Sequence, residues 1–144
     1  MIAFLDASAI IYMLEAQEPW AAQVRTELRQ LAATAETAGQ PLSLALSRLS
    51  WLECRVHPLR QGDPARLARF DAFFARPDLC WVELSASVVE RATALRAEHN
   101  LRTPDALQAA CFLQLGADAV MISGDSSFAR VPGLALLRLD SEIP

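Results

Sequence analysis

Four acidic side chains lie next to the apolar segments of the sequence. Asp6 ends the run IAFL, and Asp125 comes shortly after the run AVMI. Glu53 lies in a segment that follows LSLAL, and Asp105 opens the segment TPDALQAA that leads toward AVMI. If the apolar runs are parallel strands joined by helices, all four carboxylates are directed toward one end of the sheet.

Carboxylates gathered in this way favour a bound cation. Clustered acids repel one another, and each raises the pKa of its neighbours. A fold keeps such a cluster at low cost only when a cation neutralises it. Because every ligand atom would be an oxygen, Mg²⁺ or Mn²⁺ is favoured over zinc.

Each acid taken alone also has an explanation that involves no metal. Asp6 is a possible helix N-cap, Asp105 suits a first helical turn, and Asp125 suits a turn. Ser50 and Glu53 have the spacing of a capping box. Only the joint placement of the four acids favours a metal site over these separate roles.

The basic residues exclude several classes of enzyme. All 13 are arginines, because the sequence contains no lysine. A Walker-A phosphate loop and a Schiff-base enzyme both need a lysine, so neither is expected. The net charge of −4 also argues against a broad nucleic-acid-binding surface. Any nucleic acid must therefore be held by a local groove or through metal ions.

The three cysteines and the N-terminus predict a reduced protein of the cytoplasm. The cysteines are far apart, and core packing is expected for Cys54, Cys80 and Cys111. Cys54 and His57 have the spacing of half a zinc site, but no second pair completes it. The start MIAFLD has no basic segment of a signal peptide, and no apolar run is long enough to span a membrane.

The spacing of apolar residues predicts strands that alternate with helices. Strands are predicted at residues 2–5, 42–46, 80–84, 119–122 and 134–139. Helices are predicted at residues 7–15, 19–38, 47–59 and 63–74, after the cap Ser85, and from the cap Thr103 to Gly116. This order predicts one domain over residues 1–144, a three-layer α/β/α fold with a central parallel sheet of about five strands.

Four motifs follow one another in a familiar order: LDASAIIY, the helix with Glu53, TPDALQAA and MISGDSSF. In order and spacing they resemble PIN-domain ribonucleases, above all the short VapC-type toxins of bacterial toxin–antitoxin pairs. The resemblance extends from Ile2 to about Leu139. Two positions depart from it: Ser123-Gly124-Asp125 stands where Thr-Asn-Asp is frequent, and Asn100 stands where glycine is common.

The resemblance implies a PIN-like domain and a metal-dependent endoribonuclease that cleaves single-stranded RNA to 5′-phosphate and 3′-hydroxyl products. The implied catalytic and metal-binding acids, for Mg²⁺ or Mn²⁺, are Asp6, Glu53, Asp105 and Asp125. For Glu53, two roles remain open: a ligand through water, or the acceptor of the nucleophile's proton. Ser8 and Ser123 match supporting hydroxyl positions.

The resemblance also implies protein partners, namely a cognate antitoxin and a second copy of the chain in a homodimer. The first two predicted helices carry large apolar side chains that form either a groove for an amphipathic helix of the antitoxin or ordinary core. These side chains are Ile10, Ile11, Tyr12, Leu14 and Trp20.

Two other classes of function compete with the ribonuclease. A phosphatase with an aspartyl nucleophile also has an aspartate at the end of its first strand. Such enzymes usually carry Asp-x-Asp and a lysine, whereas this chain has Asp-x-Ser at Asp6 and Ser8 and no lysine. A catalytically silent PIN-like binding module is the other class, and the complete set of acids argues against it.

Overall fold

The structure is a computed structural model that describes residues 1–140. Five strands and six α-helices lie along these residues, with two helices between each strand and the next from the first strand to the fourth. The strands are β1 (Ile2–Leu5), β2 (Ser43–Ser47), β3 (Leu79–Val82), β4 (Ala119–Ser123) and β5 (Leu136–Arg138). The helices are α1 (Ala7–Leu14), α2 (Trp20–Thr37), α3 (Arg48–Gln61), α4 (Pro64–Phe74), α5 (Ala86–His99) and α6 (Thr103–Leu113), and a 3-10 helix covers Ser126–Arg130.

All strands are parallel, and they lie in the order β3-β2-β1-β4-β5. β1 is the central strand, and its Ile2 is in register with Ser43 of β2 and Ala119 of β4. The direction in which the chain adds strands reverses between β1 and β4. In parallel sheets, the crevice beyond the carboxyl ends of two such strands is where ligands bind.

Helices cover both faces of the sheet, as the three-layer prediction requires. Alternate side chains of β1 point to opposite faces, so Phe4 packs with α5 and α6, whereas Ala3 and Leu5 pack with α1 to α4. All three side chains are completely buried. The predicted parallel sheet of about five strands is therefore confirmed.

Local sequence signals place several helix ends correctly. Asp63 caps α4 through a hydrogen bond from Arg66 N, and the helix covers Pro64–Phe74 as predicted. Asn100 ends α5 in the left-handed conformation, with φ of 53°. Asparagine tolerates this conformation better than other non-glycine residues, so the helix ends here without a glycine.

Three local predictions are wrong. Arg102, not Thr103, occupies the N-cap position of α6, and the helix ends at Leu113 rather than at Gly116. Cys80 is exposed on the edge strand β3, whereas Cys54 and Cys111 are buried as expected. Among the strands of residues 1–140, β3 pairs with β2 alone, so its side chains are covered less completely.

Within residues 1–140, we find no helix with the length and hydropathy needed to cross a bilayer.

Candidate active site

Asp6 lies at the carboxyl end of β1 and is also the N-cap of α1. Its Oδ1 accepts hydrogen bonds from Ala9 N at 3.0 Å and from Ser8 Oγ at 2.7 Å. Its Oδ2 accepts a hydrogen bond from Ser123 Oγ. Capping and a place in the acid cluster are therefore not alternatives at Asp6, because the cap holds the carboxylate at the end of the sheet.

The two predicted supporting hydroxyls join Asp6 to the loop that carries Asp125. Ser123 Oγ accepts a hydrogen bond from Asp125 N at 2.9 Å, and Ser8 Oγ accepts one from Gly124 N at 3.1 Å. Each hydroxyl thus donates to the Asp6 carboxylate and accepts from the backbone after β4. These bonds fix the loop relative to Asp6.

Gly124 makes this loop compact. A Cβ atom at this position would lie 3.1 Å from Tyr12 Cε2 and 3.3 Å from the Tyr12 hydroxyl oxygen. Both distances are shorter than ordinary van der Waals contact. The close approach of Tyr12 therefore favours glycine at position 124.

Glu53 lies in α3, and a buried polar network orients it. The network joins Ser47, Ser50 and Gln108 of α6. Ser47 Oγ donates to Gln108 Oε1 at 2.7 Å, and Gln108 Nε2 donates to Ser50 Oγ at 2.8 Å and to Glu53 Oε1 at 3.4 Å. Ser47 caps α3 by accepting from Ser50 N, so Ser50 and Glu53 do not form a capping box.

Asp105 lies in the first turn of α6 and is mostly buried. Its Oδ2 accepts a hydrogen bond from Arg102 Nε at 3.1 Å. A terminal nitrogen of the same guanidinium lies 3.9 Å from Asp125 Oδ2. Arg102 therefore connects the acid of α6 with the acid that follows β4.

The four predicted acids share one electrostatic environment. Burial raises the pKa of Asp6, and the negative charge of Asp125 raises it further. Burial also raises the pKa of Glu53, with added repulsion from Asp6 and Asp105. The structure thus brings together at one end of the sheet all four acids singled out in the sequence.

Asp105 and Asp125 titrate as a linked pair. Burial raises the pKa of Asp105, and repulsion from Asp125 adds to this effect. Burial also acts to raise the pKa of Asp125, but hydrogen bonding, including that from the backbone N–H of Ser127 at 2.9 Å, outweighs it and lowers the pKa. Asp125 is therefore the more readily ionised member of the pair.

The donor chemistry suits a hard divalent cation such as Mg²⁺ or Mn²⁺. All four acids offer oxygen atoms, and the buried Ser127 Oγ beside Asp125 has no hydrogen-bond partner within residues 1–140. Over the same residues, no three acidic, histidine or cysteine side chains are positioned as a ready metal-binding group. The acid oxygens are instead engaged by the protein itself. Both oxygens of Asp6 accept hydrogen bonds, and Arg102 contacts Asp105 and Asp125.

The Cys54–His57 spacing does not produce a metal site. Cys54 is buried among the apolar side chains under α3, and burial raises the pKa of its thiol. His57, one turn further along the helix, is exposed to solvent. Cys54 is therefore a core residue, as the sequence suggested.

Sequence reasoning missed Gln108 and Arg102 as parts of this site. Gln108 stands in TPDALQAA one turn after Asp105, on the same face of the helix, and this spacing is the signal that could have revealed it. Arg102 directly precedes that motif. Its role depends on the position of Asp125, which the local sequence does not encode.

We expect Gln108→Ala to lower the free energy of unfolding by about 2–4 kcal/mol, because it leaves Ser47 and Ser50 without their buried partner and creates a cavity. Chemical denaturation of the metal-free protein measures this loss. The matched control is Gln61→Ala, since Gln61 is exposed and accepts one hydrogen bond from Arg66. Equal stability of the two variants would contradict the prediction.

The raised pKa of Glu53 also predicts how the free energy of unfolding changes with pH. A carboxyl that binds its proton more tightly in the folded state stabilises the fold below its unfolded pKa, about 4.3, and loses that contribution as the pH rises through the folded pKa. The unfolding free energy of the metal-free wild type, relative to Glu53→Gln, should therefore fall as the pH is raised. Denaturation of both proteins over a pH series measures the difference.

Glu83 provides a control of opposite sign, because its hydrogen bond with Arg48 lowers its pKa. The wild type, relative to Glu83→Gln, should gain stability as the pH rises. The same trend for both variants would show that Glu53 is not held in a desolvated environment.

Comparison with known proteins agrees with this geometry. The family model of the PIN domain matches residues 3–134. No curated protein sequence gives a significant match. The solved structure of VapBC2 from Rickettsia felis bound to a DNA fragment from their promoter is similar, with 19% identity and a TM-score of 0.74 over 97% of this chain and 100% of that chain.

Two further structures are similar at the same level. A toxin–antitoxin complex from Klebsiella pneumoniae has 22% identity and a TM-score of 0.66, over 92% of this chain and 95% of that chain. VapBC-1 from nontypeable Haemophilus influenzae has 17% identity and a TM-score of 0.65, over 96% and 98% of the two chains. These structures share the fold, and the family model covers most of the sequence. The chain belongs to the PIN domain family.

Proposed function

We propose that the chain is a metal-dependent endoribonuclease that cleaves single-stranded RNA and acts as the toxin of a toxin–antitoxin pair. The observation that carries this proposal is the cluster of Asp6, Glu53, Asp105 and Asp125 beyond the carboxyl ends of β1 and β4. Membership of the PIN domain family supports it. We assign the activity to one nuclease domain over residues 1–144, working in the cytoplasm.

Asp6, Asp105 and Asp125 would hold Mg²⁺ or Mn²⁺, and Glu53 completes the acid set. Such ions supply a Lewis acid for the phosphodiester and make water a stronger nucleophile. The protein's own contribution is orientation, because Ser8 and Ser123 fix both oxygens of the Asp6 carboxylate.

Glu53 is suited to accept a proton from the attacking water. Gln108 holds its Oε1 by a hydrogen bond, and burial raises the pKa of the Glu53 carboxyl, so that it binds a proton more readily than an exposed glutamate. Its other carboxylate oxygen makes no hydrogen bond within the described residues. This assigns Glu53 the role of proton acceptor, in addition to any contact it makes with the ion through water.

The phosphatase alternative needs Asp6 Oδ atoms that can attack a phosphorus atom. In the structure, both oxygens accept hydrogen bonds, and the side chain is only 5% exposed. Three of the roughly four acceptor sites of this buried carboxylate are already occupied, which makes it a poor nucleophile.

One experiment separates the proposed ribonuclease from both alternatives. The protein is incubated with labelled single-stranded RNA, the matching DNA and a chromogenic phosphate monoester, with Mn²⁺ and with EDTA. We expect RNA cleavage with Mn²⁺ only. Hydrolysis of the monoester alone would support the phosphatase, and binding of RNA without cleavage would support the silent module.

Metal binding should also stabilise the fold, because the ion relieves repulsion among the four acids. A ligand that binds only the native state adds about 2.7 kcal/mol at 100-fold excess over its Kd. We expect Mn²⁺ to raise the melting temperature of the wild type and to have little effect on Asp6→Asn. An unchanged melting temperature at saturating Mn²⁺ would contradict a metal site at these acids.

We also propose a cognate antitoxin as partner, and a homodimer as the toxin's own assembly. The similar structures are, by description, VapBC or toxin–antitoxin complexes. Among the apolar side chains of α1 and α2, Ile10 is completely buried. The side chains of Ile11, Tyr12, Leu14 and Trp20 are half-buried and pack against the core, and Tyr12 stacks on Trp20. This packing favours a role in the core over an open groove.

Five large apolar side chains are exposed within residues 1–140, and three of them lie on α3, the helix that carries Glu53. Leu52, Val56 and Leu59 are 51%, 39% and 55% exposed, and their spacing places them along one side of the helix. We call these three residues the α3 stripe. An amphipathic helix of the antitoxin could bury this stripe and bring an arginine to the neighbouring acids.

A further inference from the structure

Arg102 differs from the other arginines of residues 1–140 in the number of acids it contacts. Five of them, Arg25, Arg48, Arg55, Arg66 and Arg76, each form an ion pair with one carboxylate. Arg102 alone pairs with two, Asp105 at 3.1 Å and Asp125 at 3.9 Å. Both partners belong to the candidate active site.

Stability does not explain this arrangement. The Arg102 side chain is 79% exposed, whereas the side chains of Asp105 and Asp125 are 12% and 32% exposed. Ion pairs with a partner so open to water contribute little to folding. Arg102 occupies the N-cap position of α6, yet it makes no side-chain capping bond. Arg102 therefore lies at the solvent-exposed edge of the acid cluster and adds little to the stability of the fold.

The guanidinium keeps most of its binding capacity free. It has five N–H donors, and within residues 1–140 only Nε makes a hydrogen bond, to Asp105. The remaining donors lie at the exposed end of the side chain. Their planar arrangement matches the oxygens of a phosphate group.

An RNA backbone that approaches this site meets four carboxylates on a protein of net charge −4. Cations must offset this repulsion, and Arg102 is a basic side chain already located among the acids. A divalent ion bound by Asp105 and Asp125 would compete with the guanidinium for the same oxygens. The guanidinium would then be released at the edge of the site, where the substrate must pass.

We propose that Arg102 is a two-position residue: it is the counterion of Asp105 and Asp125 in the metal-free protein, and it binds a phosphate of the RNA once a divalent ion replaces it. This inference rests on the proposed metal-dependent ribonuclease function and names a substrate-binding residue within it. It makes two predictions of opposite sign for one substitution. Loss of Arg102 strengthens metal binding and weakens RNA binding.

The test is Arg102→Gln, with Arg76→Gln as the matched control. Arg76 is also exposed and pairs with one aspartate, Asp78, at the amino end of β3, away from the acid cluster. Calorimetric titration with Mn²⁺ in the absence of RNA measures the metal Kd. Steady-state cleavage of a labelled single-stranded RNA measures KM and kcat.

For Arg102→Gln, we expect Mn²⁺ to bind several-fold more tightly and the KM for RNA to rise about tenfold or more, since a charge-assisted hydrogen bond to phosphate is lost. The KM of Arg102→Lys should lie between those of the wild type and Arg102→Gln, because lysine keeps the positive charge but lacks the planar pair of donors of the guanidinium. Arg76→Gln should change neither quantity.

Unchanged Mn²⁺ affinity and unchanged KM in Arg102→Gln would overturn the assignment and reduce Arg102 to a surface ion pair. Weaker binding of both Mn²⁺ and RNA, with a lower melting temperature, would also overturn it, because that pattern indicates a structural role. Wild type that neither binds Mn²⁺ nor cleaves RNA would instead overturn the proposed function on which the assignment rests.

Discussion

Asp6→Asn is expected to lower the rate of RNA cleavage by on the order of a thousandfold or more, equivalent to about 4 kcal/mol of transition-state stabilisation. Asp6 is the most buried of the four acids, and its carboxylate is fixed by three hydrogen bonds. The substitution removes the negative charge that would hold the metal ion but changes almost no volume. Cleavage of labelled RNA in Mn²⁺, under single-turnover conditions, measures the effect.

The fold should survive this substitution. Asparagine is as good an N-cap as aspartate, so α1 keeps its first hydrogen bond to the side chain. The matched control is Asp78→Asn, which makes the same chemical change at the amino end of β3. It should cleave RNA at the wild-type rate. Full cleavage by Asp6→Asn in metal-free buffer would contradict the mechanism.

The second large effect concerns growth. Expression of the wild-type chain in a bacterial host should arrest growth, because an unrestrained cytoplasmic ribonuclease degrades the host's RNA. Asp6→Asn, produced at a matched soluble level, should not. Co-expression of the protein encoded by a small adjacent gene should restore growth and give a complex that co-purifies. Colony counts with and without inducer measure both effects.

A substitution in the α3 stripe separates the toxin from its partner. Leu59→Glu places a charge on a side chain that is already 55% exposed, so folding and cleavage should be retained. Because it disrupts the apolar surface that we assign to the antitoxin, growth arrest should persist when the antitoxin is co-expressed.

Equal growth of cells that express the wild type and cells that express Asp6→Asn, in a host close to the source, would contradict the toxin assignment.

The local sequence alone determined where each acid lies relative to the strands and helices. The apolar run before Asp6 and the one before Asp125 were sufficient to predict two strands, because a buried parallel strand needs continuous apolar residues. Since parallel strands end on the same edge, this placed their acids together. The cap Asp63 and the apolar stripe of α4 likewise predicted that helix correctly, because capping and periodicity act over a few residues.

Only the tertiary structure decided how these side chains are held. Ser123 donates to Asp6 from 117 positions away, and Ser47 reaches Gln108 across 61 positions. Such bonds depend on β1 lying between β2 and β4, and strand order is not encoded in any local pattern. The capping box at Ser50 and Glu53 is absent for a local reason, because Ser47 caps α3 one turn earlier.

The tertiary structure also decided which apolar side chains are exposed to solvent. In the sequence, the isoleucines and the leucine of α1 are aliphatic, as are the leucines and the valine of the α3 stripe. Yet the side chains of α1 and α2 pack against each other and the sheet, while the stripe faces outward. Arg102 pairs with Asp125 because the loop after β4 meets the start of α6 in space. Spacing along the chain fixes which face of an element a side chain occupies, but its neighbours across the sheet exist only once the strands have assembled.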